Sequence, residues 1–335
     1  VKGGYLAKAE EVTAATPASL NAYPTDVPLN RLGLAKWIAS SDNPLTARVA
    51  VNRIWEQIFG RGIVETSEDF GTQGARPTHP DLLDWLATEF VRLGWSQKKL
   101  IKTIVMSNTY RQSSVVKPAL LEKDPDNRLL ARGPRFRMDA EVLRDSMLEA
   151  SGLLNHKVGG PSVFPSQPDG VWSIPYNGDK WMESAGTDKF RRGIYTFLRR
   201  TSPYPEFLTF DSTSRESCTV RRIRTNTPLQ ALALLNDTVS MDASRAMGHK
   251  LSAMTSVPIE IRMQLAYRMV TSRPANTDEI RVLIRFYNNA LKKFEANPAS
   301  ASSLMILSSG NLLEQAAWTM VSNLLLNLDE AITKD

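Results

Sequence analysis

Between Gly159 and Gly186 nine of 28 residues are glycine or proline, and this interruption separates two long stretches in which apolar residues recur at helical spacing. Proline removes a backbone donor and glycine loosens the backbone, so no regular element is expected to span such a segment. Phe164, Trp172, Tyr176 and Trp181 punctuate it. The expected class is therefore mainly α, with a long irregular segment at about 157–190. Long ordered loops are uncommon unless they carry or cover a site.

Upstream of the interruption the helical signals are local and chemical. Leu34, Trp37 and Ile38 share one face of a short helix. Asn43-Pro44 then offers a cap and a proline start for a longer helix with Ala47, Val51, Ile54, Trp55 and Ile58 in one stripe, ended by Gly60 and Gly62. Thr78-His79-Pro80-Asp81 has the form of a capping box before Leu82, Leu86, Phe90 and Leu93. Ser96 caps a further helix whose apolar face is Leu100, Ile101, Ile104 and Val105, and Asp139 caps one with Leu143, Met147 and Leu154.

Downstream, Gly193-Ile194-Tyr195-Thr196-Phe197-Leu198 reads as a strand, so a small β element is expected at about 191–201. Helices are expected again from Pro228 to about Ser252, Ile259 to Thr271, Thr277 to about Glu295 and Leu312 to Leu326, with Asn297–Ser302 as an exposed linker. In the first of these, Leu229, Leu232, Leu235 and Val239 are expected to face a core. The chain thus parses into an extended arm (1–30), a helical subdomain (31–156), an irregular and β segment with an arginine cluster (157–227) and a second helical subdomain (228–335).

Size and composition narrow the class. A chain of 335 residues with 42% hydrophobic and 23% charged residues has the make-up of a folded globular protein, and its length exceeds one comfortable core. The single cysteine, Cys218, excludes an internal disulfide framework and a covalent c-type haem attachment, which needs a cysteine pair. His79, His156 and His249 are scattered, so no metal centre is expected and no cofactor is assigned to the chain. No apolar run has transmembrane length. The start at Val1-Lys2-Gly3-Gly4-Tyr5, without methionine, reads as the middle of a longer protein.

The net charge of +6 is small, but the positive residues cluster. Between Arg191 and Arg224 stand Arg191, Arg192, Arg199, Arg200, Arg215, Arg221, Arg222 and Arg224 against Glu206, Asp211 and Glu216. The segment Arg221-Arg222-Ile223-Arg224-Thr225-Asn226-Thr227-Pro228-Leu229-Gln230 runs straight into a helix start, with Thr227 as cap and Pro228 in the first turn. Guanidinium forks beside unpaired helix amides suit phosphate, sulfate or carboxylate, which makes Arg221, Arg222, Arg224, Asn226 and Gln230 ligand candidates. The same arginines can instead pair internally with Asp139, Glu141, Asp211 and Glu216, tying the loop to the helical body.

Other constellations each have a functional and a structural reading. Trp172, Tyr176 and Trp181, with Arg191 and Arg192 nearby, could stack sugar rings or nucleobases, or could plug the space under the irregular segment. Glu68 with Asp69, Asp139 with Glu141, and Asp211 with Glu216 supply carboxylate pairs for acid–base chemistry, though spacing alone does not measure their separation. His79 at a helix start could act as a base near neutral pH, or pack against Trp85 as a turn residue. Asp69, His79, Asp211 and Glu216 are thus the catalytic candidates. A nucleic-acid partner is not expected, since no groove-reading motif is legible.

Longer words of the sequence resemble a known family. Asn43-Pro44-Leu45-Thr46-Ala47-Arg48-Val49, Asn52-Arg53-Ile54-Trp55, Phe59-Gly60-Arg61-Gly62, Asp69-Phe70-Gly71, Leu82-Leu83-Asp84-Trp85-Leu86-Ala87, Thr109-Tyr110-Arg111-Gln112-Ser113-Ser114, Gly159-Gly160-Pro161-Ser162-Val163, Arg199-Arg200-Thr201 and Arg224-Thr225-Asn226-Thr227-Pro228-Leu229-Gln230 follow one another as in the planctomycete-type domain of unknown function 1553. The resemblance runs from about residue 28 to the C-terminus. It implies an extracytoplasmic (periplasmic or secreted) module near the end of a large protein that often carries a cytochrome c module. Any haem c would then sit in an upstream domain or partner subunit. It supplies no catalytic residue. Two functions fit: a module binding a carbohydrate-like or anionic ligand, or an assembly scaffold with internally paired arginines.

Overall fold

Asn30 accepts a hydrogen bond from the Gly33 amide at 3.0 Å and starts α1, Arg31–Ile38. The computed structural model describes residues 4, 9–171, 180–305 and 310–334, and the chain divides into two compact units, Val1–Arg135 and Phe136–Asp335. No described helix is long and apolar enough to cross a membrane. The class is mainly α, with one small two-stranded sheet among the described residues.

In the N-terminal unit the arm is tied down where the Trp37 indole donates to the Asn21 carbonyl at 2.8 Å. Trp37 is the buried apolar residue of α1; Leu34 and Ile38, expected on the same face, are exposed. Asn43 accepts from the amides of Leu45 and Thr46 and turns the chain into α2, Thr46–Phe59, which ends at Gly60 with φ 78°. Next come α3 (Pro80–Arg92), α4 (Gln97–Val105), α5 (Asn108–Arg111) and α6 (Pro118–Lys123). Val51, Trp55 and Phe59 of α2 meet Leu83, Leu86 and Phe90 of α3 and Leu100 and Ile104 of α4 in one core. Full burial of each such side chain stabilises the unit by about 1.5–3 kcal/mol.

The expected capping box at Thr78 does not form. His79 is the N-cap of α3, while the backbone and hydroxyl of Thr78 both donate to the Ile63 carbonyl. Thr78 is held by the segment after α2, and proline at the first helical position already removes one of the donors a cap would satisfy.

The C-terminal unit opens with β1, Phe136–Arg137, then α7, Ala140–Ser151. The irregular segment follows; among its described residues and those just after it the regular pieces are short 3-10 turns at Gly186–Phe190 and Gly193–Tyr195. After α8 (Pro205–Thr209) come α9 (Pro228–Asn236), α10 (Thr238–Ser252), α11 (Ile259–Thr271), α12 (Thr277–Ala296), α13 (Pro298–Leu304), α14 (Leu312–Leu326), α15 (Asp329–Ile332) and β2 (Thr333–Lys334). Helix α14 is buried on all sides, with Trp318, Val321 and Leu325 fully enclosed by α10, α11 and α12. Ala243, Ser244 and Gly248 on α10 are small enough to let its backbone approach α14 closely.

Four expectations change here. The strand expected at about 191–201 is a 3-10 turn with isolated parallel bridges, Asn155 to Arg191 and Val163 to Thr196. The Gly193 amide donates to the Asp145 carboxylate at 2.6 Å, so a side chain takes the bond a strand partner would need. The sheet lies elsewhere, Phe136–Arg137 antiparallel to Thr333–Lys334. The single helix from Pro228 to Ser252 is two, because Asp237 is extended in ψ and its carboxylate accepts from the Val239 amide. The expected linker at 297–302 is largely α13, docked through the fully buried Ala301. Leu229, Leu232 and Leu235 do not face the core: α9 buries Gln230 and Leu234 instead.

The arginine segment as candidate site

Two features shape the 221–230 segment: the helix start it feeds and the carboxylates that meet it. Thr227 accepts from the Gln230 amide at 3.4 Å, and the Gln230 side chain accepts from the Thr227 amide at 3.3 Å, a complete capping box. Gln230 is buried and does more. Its amide nitrogen donates to the Thr209 carbonyl at 2.9 Å, to the Thr225 hydroxyl at 3.1 Å and to Asp211 at 3.3 Å. Its oxygen also accepts from Arg137 at 2.9 Å, whose second guanidinium nitrogen donates to Asn226 at 3.1 Å.

The arginines meet acids. Arg222 forms a two-pronged pair with Glu141 on α7, at 2.5 and 2.8 Å. Burial, the largest influence, raises the Glu141 carboxyl, but the hydrogen bonds and charge of Arg222, a backbone hydrogen bond and the charge of Arg215 together outweigh it and hold Glu141 below the ordinary carboxylate range. The hydrogen bonds to Glu141 raise Arg222. Arg224 lies 3.5 Å from Asp139 and stacks over the Phe136 ring at 4.5 Å. Asp211, in the left-handed region at φ 62°, accepts from the amide and the hydroxyl of Thr225, both at 2.8 Å. Arg221 is exposed. The structure thus brings Arg222, Arg224, Asn226, Gln230 and Asp211 together, each with a neutral or acidic neighbour already in place.

Arg191 and Arg192 serve the irregular segment. Arg191 is 1% exposed and donates to the carbonyls of Pro161, Lys157 and Gly159 at 3.2, 3.1 and 2.5 Å, while stacking on Tyr195 at 3.8 Å. The Tyr195 hydroxyl accepts from the Gly159 amide, closing the loop around the guanidinium. Arg192 pairs with Asp145 at 2.9 Å. Trp181 is half-buried, stacked on Tyr204 and edge-on to Phe164, and its indole donates to the Pro165 carbonyl at 2.7 Å. Trp172 and Tyr176 lie outside the described residues.

The acid–base candidates are divided between the two units. Glu216 is exposed, and the carboxylate of Asp211 is spent on Thr225 and Gln230. Asp69 accepts from the Gly71 amide at 2.7 Å and His79 Nδ1 lies 2.9 Å from the Thr78 hydroxyl; both belong to the N-terminal unit. Trp85, the neighbour expected for His79, is largely exposed. An open groove of about 570 Å³ occurs at α11 and α12, lined by residues that include Ile261, Leu265, Arg268 and Ile280, and none of the candidates lines it.

Sequence reasoning missed the most buried charge among the described residues of the unit. Arg144 is fully enclosed, donates to the Lys189 carbonyl at 2.8 Å and reaches Glu206 at 3.4 Å. Burial pushes the Glu206 carboxyl up against the opposing pull of Arg144, and Asp237 is raised for the same first reason. Its signal was present: Arg144 sits on the apolar side of α7, beside Leu143, Met147 and Leu148.

Residues 30–287, more than half of the chain, match the family described as "PSD1: Protein of unknown function (DUF1553)". No curated protein and no solved structure matches the chain.

Proposed function

The chain belongs to the DUF1553 family, and from that membership and the pairing of its arginines we propose that it is an extracytoplasmic assembly module with no ligand of its own at the arginine segment. In this reading it works beside other domains or subunits. Any haem c is carried by those neighbours, since the chain has one cysteine and covalent attachment needs two.

The observation that supports this most is the pair of Arg222 with Glu141. Both forks of the guanidinium are engaged at 2.5 and 2.8 Å, and both side chains are largely withdrawn from water, at 22% and 25% exposure. A carbohydrate-like or anionic ligand at the same place, the competing reading, must first break this pair and leave a half-buried carboxylate uncompensated, which costs about 1–3 kcal/mol or more. The apolar side chains that α9 leaves outside, Leu229, Leu232 and Leu235, suit a module that meets neighbours.

A double-mutant cycle with an anion titration tests it. Arg222→Ala and Glu141→Ala are expected to lower the melting temperature similarly, the double variant little further, and sulfate, phosphate or oligosaccharides to leave the wild-type melting temperature unmoved. A ligand-dependent rise that disappears in Arg222→Ala would overturn the scaffold reading in favour of a binding site.

A further inference from the structure

From Phe90 to Leu121 the chain contains no acidic residue and six basic ones: Arg92, Lys98, Lys99, Lys102, Arg111 and Lys117. Three of these are on α4. That helix turns Leu100 and Ile104 into the core of the N-terminal unit, so its opposite side is fixed outward. At 100° per residue the outward side collects Lys98, Lys99, Lys102, Ile101 and Met106 on one continuous face. All five are exposed; Ile101 is 40% and Met106 62% accessible.

The face is distinguished by its lack of counter-charge. Arg92, one turn before α4, is gripped by Glu89, and Arg281 on α12 is paired with Asp278. Among the described residues the ammonium groups of Lys98, Lys99 and Lys102 have no carboxylate partner. Three uncompensated cations within about one and a half turns leave a local positive field, which draws an anionic surface. Ile101 and Met106 narrow the partner. An apolar side chain gains nothing against a hydrated polyanion, whereas at a bilayer it enters the boundary between headgroups and acyl chains beneath the lysines.

We propose that the outward face of α4 docks on an anionic lipid surface, with Lys98, Lys99 and Lys102 against the phosphates and Ile101 and Met106 in the headgroup boundary. The contact is peripheral and independent of the arginine segment.

Flotation of the full chain with phosphatidylcholine vesicles, with and without phosphatidylglycerol, tests it. Binding is expected only with phosphatidylglycerol, and is expected to weaken as salt is raised. Each Lys→Gln change should lower vesicle partitioning about fivefold, and Lys98→Gln/Lys99→Gln/Lys102→Gln on the order of a hundredfold. Ile101→Ser/Met106→Gln should lower it further at fixed charge, while Lys292→Gln/Lys293→Gln on α12 should leave it unchanged. Circular dichroism checks the fold of each variant, and the salt and lipid dependence of the unmodified chain decides the matter where a variant does not fold. Absence of binding, equal binding to neutral vesicles, or indifference to the triple change overturns the proposal. Tighter binding to heparin that ignores Ile101 and Met106 overturns it too, and assigns the face to a soluble polyanion.

Discussion

Arg144 and Glu206 stand 3.4 Å apart in the C-terminal unit with side-chain exposures of 0% and 4%. The pair joins α7 to α8, and Asp237 at the start of α10 feels the same arginine. Removing the arginine strands a buried carboxylate, so Arg144→Ala is expected to cost about 3–5 kcal/mol in urea unfolding. Glu206→Gln is expected to cost less, because burial already shifts that carboxyl toward its neutral form. The sign of the pH effect follows. With its folded pKa above 4.5, Glu206 contributes stability that is present below the unfolded value and lost as pH rises through the folded one. Urea midpoints measured across mildly acidic to neutral pH should therefore fall more steeply for wild type than for Glu206→Gln.

The opposite slope is expected at Glu279. Glu279 is lowered from 4.5 to about 2, chiefly by its hydrogen bonds from Arg273, against desolvation. Its contribution is present above 4.5 and lost as pH falls toward 2. Arg273→Gln should flatten that acid limb in the same urea series, and an unchanged limb would refute the assignment.

Gly248 has no room for a side chain. A Cβ there would lie 2.6 Å from the Thr319 backbone nitrogen and 2.8 Å from its Cα. Alanine would gain up to about 1 kcal/mol in helix propensity, yet separating α10 from α14 is expected to cost about 1–3 kcal/mol. Gly248→Ala should thus melt below wild type.

Arg191 is not replaceable by another cation. Lysine keeps the charge but lacks the planar fork that reaches three carbonyls while stacking on Tyr195. Arg191→Lys is expected to lose about 2 kcal/mol and to speed limited proteolysis at 157–161, read by mass spectrometry.

The two sides of α9 should respond differently. Leu234→Ala removes a side chain that is 4% exposed and is expected to cost about 2–5 kcal/mol. Leu229→Ser and Leu232→Ser change positions that are 59% and 57% exposed, and should move stability by no more than about 0.5 kcal/mol in either direction. Equal losses on both sides would show that the helix buries the other face.

Much of the fold was legible because its signals are short-ranged. Gly60 ends α2, and Ser96 and Thr227 cap their helices. The errors come where a local pattern had two outcomes. An apolar run such as Pro228–Asn236 has leucines on several sides, and periodicity does not say which meets the core. The run at Gly193 has strand composition, but Asp145, 48 positions earlier in sequence, takes its first amide.

From the sequence alone come the helical class, the family words, the stretch without acidic residues around α4 and the fact that Arg221, Arg222 and Arg224 need anions near them. Their identity is a tertiary matter. Glu141 lies 81 positions from Arg222, and only the packing of α7 against the loop before α9 turns an apparent anion site into a closed pair. The physical reason is range: caps and periodicity act within a few residues of themselves. Charge partners are chosen by whatever the fold brings within about 4 Å.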